Sequence, residues 1–404
     1  MKKIIIYFTL LLVSINITAQ EKSIYEKDFL EYWQIVKDNY AYFDSQQTDW
    51  GKVKEIYLPK VKKITSRSYF VRLLENCNDE LYNGHVSLNT NLRNSNYVMP
   101  SGTDIWAEKE GNKFIIESIR EGSIAAQIGL KPNMEIVKFN DVEISKGLQH
   151  YLPKSFKKYD AKVYNHILNL YLGGTRNSPR KITVLEKGKT RDFVIDKKKY
   201  KAKYYNESLV TSRRLKGNIG YIKFNNSLGS LNTVKEFDKA LDNLLDTKGM
   251  ILDLRETASG GNNTVIKGVM GRFITEKKPY QVYKFVSDEN QSGIEHEWIE
   301  LVIPRKETYK KPLVIWVSRW TGSAGEATAI GFDGMKRATI IGTKMAGLLG
   351  AIRGFRLKET NINIQIPVTK LFHINGLQRE NFVPKIIVKN NSDYLKMAKK
   401  VLRF

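Results

Sequence analysis

The segment from 312 to 347 constrains the fold most, because it joins a buried strand to a helix through a tight turn. Leu313-Val314-Ile315-Trp316-Val317 is apolar and rich in β-favouring residues, which predicts a buried strand. The small residues that follow predict a turn into a helix. Ser323 would lie at the mouth of that helix, where unpaired backbone N–H groups and the helix dipole stabilise a nearby oxyanion.

The same turn has a second interpretation. Ser323-Ala324-Gly325-Glu326 fits a capping box, in which the Ser and Glu side chains satisfy each other's backbone donors. From this window alone, Ser323 is a helix cap or a nucleophile. The choice depends on whether the rest of the chain supplies a base and an oxyanion hole.

The N-terminus has the three parts of a secretory signal peptide, predicted at 1–20. Lys2-Lys3 precedes an apolar run from Ile4 to about Ile15, and Thr18-Ala19-Gln20 follows. The run is too short for a comfortable membrane span, so no integral membrane segment is expected after signal removal. We therefore expect export to the periplasm or the medium.

The chain has 404 residues and is long enough for two or three domains. Its net charge of +24 is spread over short lysine groups, which predicts a solvated basic surface, and no nucleic-acid motif is present. The single cysteine, Cys77, excludes an internal disulfide. The five histidines form no ligand-spaced pair, so neither a metal nor another cofactor is expected. The oligomeric state stays open.

Residues 21–90 have helical periodicity in three stretches and predict a small N-terminal helical domain. This domain ends in a loop that carries His85 into an extended segment. A lone histidine is more often structural than catalytic, although a loop at a domain edge is a common place for functional residues.

Residues 91–200 alternate short strands and turns, with an expected insertion near 146–174. The run from Gly122 to Asn133 resembles the helix and strand of a PDZ domain, which captures an extended peptide as an added strand and grips its carboxylate with backbone amides. The candidate carboxylate loop, or alternatively an ordinary turn, is formed by Gly102, Thr103, Asp104 and Ile105.

Residues 205–404 alternate strands and helices, as an α/β layered fold does. A buried strand at 249–255 is followed by Gly260-Gly261. Paired glycines after a strand let backbone N–H groups converge on an anion, although a plain turn has the same sequence signal.

Together these segments resemble the C-terminal-processing, or tail-specific, serine peptidase family, and within it the tricorn-core-like branch. The resemblance implies an α/β crotonase/ClpP-like catalytic core, preceded by a small helical domain and a PDZ-like β-rich domain. The motifs that carry it are Asp49-Trp50, Leu81-Tyr82-Asn83-Gly84-His85, the PDZ-like run, Leu252-Asp253-Leu254-Arg255 with Gly260-Gly261, Ser323-Ala324-Gly325-Glu326, Ile341-Gly342-Thr343-Lys344-Met345-Ala346-Gly347, and the segment from Gly376 to Pro384.

The resemblance also implies the roles of the site residues. One branch of the family uses a lysine base, but Leu348 occupies that position here and Lys344 is interpreted as structural. The tricorn-like branch uses a histidine, matched by His85, with a relay carboxylate matched by Glu380. Relatives place a serine beside the histidine; here Gly84 stands there, and Ser87 is the nearest possible relay hydroxyl. The implied oxyanion hole combines the N–H of Ala324 with that of Gly260 or Gly261.

The function expected from these assignments is an exported serine endopeptidase that cleaves unstructured or C-terminal protein segments by acyl transfer. Two alternatives remain. A catalytically inactive PDZ-containing scaffold would bind peptides without turnover, and a hydrolase of non-peptide esters or amides would use the same serine chemistry.

Overall fold

The computed structural model describes residues 23–176 and 178–403, so the predicted signal peptide lies outside the described residues. The helices are α1 Ile24–Asn39, α2 Trp50–Val61, α3 Arg67–Asp79, α4 Ile124–Gln127, α5 Ile144–Leu148, α6 Ala161–Gly173, α7 Asn232–Asp242, α8 Asn263–Met270, α9 Val286–Ser292, α10 Ala324–Gly334 and α11 Tyr394–Leu402. The strands are β1 Ile105–Glu110, β2 Lys113–Ile119, β3 Glu135–Phe139, β4 Val142–Glu143, β5 Arg180–Glu186, β6 Lys189–Ile195, β7 Val210–Leu215, β8 Ile219–Phe224, β9 Gly249–Asp253, β10 Lys278–Lys284, β11 Glu297–Val302, β12 Leu313–Val317, β13 Thr339–Gly342, β14 Ala351–Arg356, β15 Asn363–Phe372 and β16 Ile386–Ile387. Within the described ranges, no helix is long and apolar enough to cross a membrane.

The three N-terminal helices begin at side-chain caps, because Ser23, Asp49 and Ser66 each accept a backbone N–H from the first turn. Their apolar faces pack together and also against β15 and the residues just before it. Asp28 extends this contact by accepting the N–H groups of Glu359 and Thr360. The helical region therefore shares its core with the C-terminal half, which brings the loop after α3 towards the β14–β15 hairpin.

Residues 91–200, called the middle region below, form an antiparallel sheet with the strand order β1-β2-β3-β5-β6, with β4 on β3. Ser123 caps α4, and Gly129 ends it with φ 92°, as the sequence predicts. Within the segment expected as an insertion, α6 packs its apolar residues into the core of this sheet. The helix lies along the outer strand, β1.

The C-terminal half contains two sheets. The larger has the order β16-β13-β12-β9-β8-β7 and is parallel except for β7; the smaller has the order β11-β10-β15-β14. The predicted buried strand is confirmed as β12, every residue of which is buried. Because β9 and β12 are parallel neighbours, the glycine loop after β9 and the serine turn after β12 leave the same edge of the sheet.

Candidate active site

Ser323 stands between β12 and α10 in a strained backbone conformation. Its φ is 50° and its ψ is −107°, whereas an ordinary N-cap is extended. Its backbone N–H donates to Oε2 of Glu326 at 2.7 Å, and the predicted capping box is present. Backbone strain of this kind costs free energy and is found most often at functional sites. One known example is the strand-to-helix turn that exposes the nucleophilic serine of other hydrolases.

The glycine loop after β9 packs directly on Ser323. A Cβ atom added to Gly260 would lie 2.6 Å from Cβ of Ser323, and Gly260 has φ 69°. The N–H of Gly260 donates to the carbonyl of Thr257 at 3.1 Å. Among the described residues, no acceptor receives the N–H of Gly261 or of Ala324. These two amides are the free donors beside Ser323.

His85 is held in place by both its main chain and its ring. Oδ1 of Asn83 accepts the His85 N–H at 2.9 Å, and the backbone of Ser87 pairs with that of Gln365 on β15. Nδ1 of the ring lies 2.8 Å from the carbonyl oxygen of Leu349. Because a carbonyl only accepts, this contact places the neutral ring's proton on Nδ1 and leaves a lone pair on Nε2.

Residues 347–350 connect the two candidate catalytic groups. Oε1 of Glu326 accepts the Gly347 N–H at 2.8 Å. Nη2 of Arg379 donates to the carbonyls of Leu348 and Gly350, at 2.7 and 3.0 Å. The Leu349 carbonyl, which accepts from His85, thus lies between two carbonyls fixed by one guanidinium.

The side chain of Leu348 fills the space between the two turns. A Cβ atom added to Gly84 would lie 3.0 Å from one of its methyl groups, and one added to Gly322 would lie 3.2 Å from the other. Lys344 is exposed and does not line the cavity at Ser323. The position of a lysine base is therefore filled by a packing residue.

Burial controls the charge of His85 and Glu326. The His85 side chain is buried, which together with the nearby Arg379 cation lowers its pKa from 6.5 to about 4. Glu326 is fully buried, which raises its pKa to about 7 despite the neighbouring Arg379 and its two N–H donors. At neutral pH the imidazole is neutral, as a proton acceptor must be.

One cavity of about 580 Å³ joins these groups. Its lining includes His85, Ser323, Gly261, Ala324 and Arg379. The histidine base and the serine nucleophile proposed by the sequence, although remote along the chain, thus border the same space. The free amide donors of Gly261 and Ala324 border it as well.

The predicted relay carboxylate and hydroxyl do not contact the imidazole. Glu380 lines a neighbouring cavity of about 260 Å³, and its Oε2 is buried without a hydrogen bond among the described residues. The hydroxyl of Ser87 donates to Oδ1 of Asn89 at 3.4 Å. The relay expected through Glu380 and Ser87 is therefore not formed in this structure, because the Leu349 carbonyl already occupies the Nδ1 side of His85.

The candidate carboxylate loop lies apart from this cavity. The N–H groups of Gly102 and Thr103 donate to the carbonyls of Val98 and Pro100, at 2.8 and 3.1 Å. Asp104 and Ile105 are buried at the start of β1. Two of the four amides that would hold a carboxylate are thus already paired inside the chain.

The turn before Ser323 also contacts the middle region. Nε1 of Trp320 donates to the Thr103 carbonyl at 2.9 Å. Arg319 donates to Glu117 at 2.9 Å and pairs with Glu108. The turn that carries Ser323 is therefore fixed from both sides, by its own sheet and by the neighbouring one.

Sequence reasoning missed the parts played by Glu326 and Arg379. The sequence predicts only a capping role for Glu326, and it predicts no role for Arg379 within the segment from Gly376 to Pro384. What identifies them is the burial of two charged side chains, which the structure shows and the sequence does not. A carboxylate and a guanidinium in apolar surroundings need each other and further hydrogen bonds. Their side chains are 0% and 2% exposed, and their charged atoms are 4.0 Å apart.

Two family models match parts of this chain. The model of peptidase family S41 matches residues 218–388, and the model of the tricorn protease C1 domain matches residues 23–77. The crystal structure of mature CPAF is 12% identical with a TM-score of 0.63, and the match covers 94% of this chain and 98% of that one. The photosystem II D1 C-terminal processing protease is 17% identical with a TM-score of 0.54, over 91% of this chain and 93% of that one.

A putative peptidase from Parabacteroides merdae ATCC 43184 is 15% identical with a TM-score of 0.54, and the match covers 94% of this chain and 97% of that one. At these identities the similarity shows the fold alone. Because each match covers more than nine tenths of this chain, the shared fold includes nearly all of it. The match to the model of peptidase family S41 indicates peptidase chemistry. The chain contains a serine-type peptidase domain that is similar to peptidase family S41 over residues 218–388, and its helical region is similar to the C1 domain of tricorn protease.

Proposed function

We propose that this chain is an exported serine endopeptidase that hydrolyses unstructured protein segments by acyl transfer, with Ser323 as nucleophile and His85 as general base. The observation that carries the proposal is the shared cavity, which is bordered by Ser323, His85 and the two free amides of Gly261 and Ala324. The predicted N-terminal signal is the basis for export. The proposal includes a crotonase-like core and a PDZ-like middle region.

The first half of the reaction transfers the acyl group. Nε2 of His85 takes the proton of the Ser323 hydroxyl as Oγ attacks the peptide carbonyl carbon. The negative charge that forms on the carbonyl oxygen is stabilised by the N–H groups of Ala324 and Gly261. The imidazolium then protonates the leaving amine, and the C–N bond breaks.

The second half restores the enzyme. Water loses a proton to His85 and attacks the acyl-enzyme, and the collapsing intermediate releases the acid and returns the proton to Ser323. The Leu349 carbonyl, rather than a carboxylate, fixes the tautomer of the ring in this proposal. Gly261 is assigned to the oxyanion hole because the Gly260 N–H already has an acceptor.

A non-catalytic peptide-binding scaffold is the second candidate. The observation that favours it is the missing contact between Glu380 and His85, since an imidazole without a carboxylate partner is a weaker base in most serine peptidases. The two candidates share the fold and differ in the reactivity of Ser323.

A fluorophosphonate probe distinguishes them. We expect the purified mature protein to be labelled at Ser323, with no labelling of Ser323→Ala and at least a hundredfold slower labelling of His85→Ala. Ser292→Ala, an exposed serine on α9, is the matched control and should be labelled like the parent. Folded parent protein that is not labelled would support the scaffold instead.

A further inference from the structure

The outer edge of β1 is the place where a PDZ-like domain would add a peptide strand. An edge strand presents unpaired N–H and C=O groups, and strand addition pairs them with those of the ligand. In the middle region, β1 is the outermost strand, and α6 lies along its free side. The availability of this edge therefore decides whether a substrate tail can bind here.

Two asparagine side chains of α6 already pair with this edge. The Ala107 N–H donates to Oδ1 of Asn169 at 2.9 Å, and Nδ2 of Asn169 donates back to the Ala107 carbonyl at 2.8 Å. The Lys109 N–H donates to Oδ1 of Asn165 at 2.9 Å. Asn169 thus makes the same two reciprocal bonds to Ala107 that a residue of a paired strand would make.

The spacing of the two asparagines matches the spacing of the strand. Four residues of an α-helix rise about 6 Å. Two residues of a β-strand, which separate groups that point to the same side, rise about 6.6 Å. Asn165 and Asn169 are therefore placed to reach Ala107 and Lys109 without bending either element.

The helix cannot be displaced without exposing core residues. Val163, Ile167 and Leu168 on α6 are completely buried, and Asn169 is 1% exposed. Displacing the helix would transfer these three apolar side chains to water, which the hydrophobic effect opposes. The pairing of α6 with β1 is thus a fixed part of the fold.

The loop before β1 is occupied as well. The N–H groups of Gly102 and Thr103 have internal acceptors, and a Cβ atom added to Gly102 would lie 2.7 Å from the Tyr97 side chain. Arg180, a buried cation beside the loop, lies 3.5 Å from the Asp104 carboxylate. A carboxylate arriving here would find two paired amides. It would also find a buried Arg180 whose charge Asp104 balances, although Nη1 and Nη2 of that guanidinium make no hydrogen bond among the described residues.

We propose that the middle region does not capture a substrate's C-terminus, and that α6 takes the place of the tail on β1. The enzyme then cleaves internal extended segments irrespective of their distance from the chain end. This inference rests on the proposed function, whose substrate class it narrows, and it replaces the tail capture expected from the sequence.

The kinetic test uses one unstructured peptide in three forms: with a free C-terminal carboxylate, with a C-terminal amide, and extended by ten Gly/Ser residues. We expect kcat/KM values within about twofold of one another. A tenfold or larger preference for the free carboxylate would overturn the inference. If the parent hydrolyses none of the three, the proposed function fails, and the next two measurements still decide the inference.

The binding test uses Ser323→Ala protein and fluorescein-labelled versions of the same peptides. We expect the acid and the amide to bind with equal affinity, and tighter binding of the acid by tenfold would contradict the proposal.

The pairing itself is tested by native-state hydrogen exchange. The Ala107 and Lys109 amides should exchange at least a hundredfold more slowly than in an unstructured peptide of the same sequence, and at least tenfold faster in Asn165→Leu/Asn169→Leu than in the parent. Unprotected amides in the parent would show an open edge and overturn the inference.

Discussion

The carboxylate of Glu326 accepts the backbone N–H of Ser323 at 2.7 Å, and its second oxygen accepts the N–H of Gly347 at 2.8 Å. One fully buried side chain thus ties the nucleophile turn to the segment that contacts His85. The same carboxylate lies 4.0 Å from Arg379, so the pair links both halves of the candidate site.

Replacement of Glu326 should destabilise the protein. Glu326→Ala leaves two part-buried N–H groups unpaired and the buried Arg379 without its counter-ion, so the free energy of unfolding should fall by about 3 kcal/mol. Glu326→Gln keeps one acceptor oxygen and should lower the free energy of unfolding by less. Urea unfolding measures both, with exposed Glu276→Ala as control. Equal stabilities of all three variants would contradict the assigned role.

The pH dependence of activity should follow His85. Its pKa is lowered to about 4 by burial and by Arg379, so the acid limb of kcat/KM that belongs to His85 should lie near pH 4, well below the titration of Glu326 near pH 7. The unfolded chain, with a pKa near 6.5, binds the proton first, so this group makes stability rise with pH between 4 and 6.5. His85→Phe should remove that part of the stability profile. An acid limb near pH 6.5 in the parent would contradict the prediction.

Arg379 should act as a positioning residue. Arg379→Met removes the nearby cation and the donors to Leu348 and Gly350, so kcat should fall with little change in KM, and the acid limb should move above pH 4 because the pKa of His85 rises. Arg379→Lys keeps the charge and should leave the acid limb in place. Exposed Arg93→Met is the control. An unmoved limb in Arg379→Met would indicate a purely structural role.

The glycine loop should not tolerate a side chain at 260. In Gly260→Ala the new Cβ would meet Cβ of Ser323 at 2.6 Å, so the loop must move and displace the Gly261 donor. Loss of one oxyanion donor lowers kcat by about a hundredfold or more. Gly111 has a similar φ, 59°, with open space around it. Gly111→Ala should therefore lower stability and leave activity unchanged. Equal activities of the two variants would exclude this packing.

Glu380 should be dispensable for the chemical step. Its carboxylate makes no hydrogen bond to His85, so Glu380→Gln should keep kcat/KM within about threefold of the parent, whereas His85→Ala should lose a thousandfold or more. Steady-state kinetics on one peptide compares them. A loss in Glu380→Gln as large as that of His85→Ala would mean that the relay forms during turnover.

Local signals in the sequence predict much of this fold. The apolar run at 313–317 is a buried strand, Ser66 and Ser123 cap their helices, and Gly129 has the left-handed conformation. Each of these features depends on a few adjacent residues, so a short window contains the necessary information.

Contacts between segments that are distant along the chain could not be predicted from the sequence. The helical region was expected as a separate domain, yet its core includes Ile364, Ile366 and Val368 of β15. The partner of the His85 ring is a main-chain carbonyl, and every residue carries one, so no side-chain pattern identifies Leu349. Motif matching instead pointed to Glu380, which lies in the neighbouring cavity.

The bonds from Trp320 to Thr103 and from Arg319 to Glu117 make the nucleophile turn a joint between two parts of the molecule. An engineer who transplants only the C-terminal half into a new scaffold would leave an indole N–H without its acceptor and a guanidinium without its two carboxylate partners near Ser323. Modular recombination of this protease would therefore have to carry the outer strands of the middle sheet along with the serine turn.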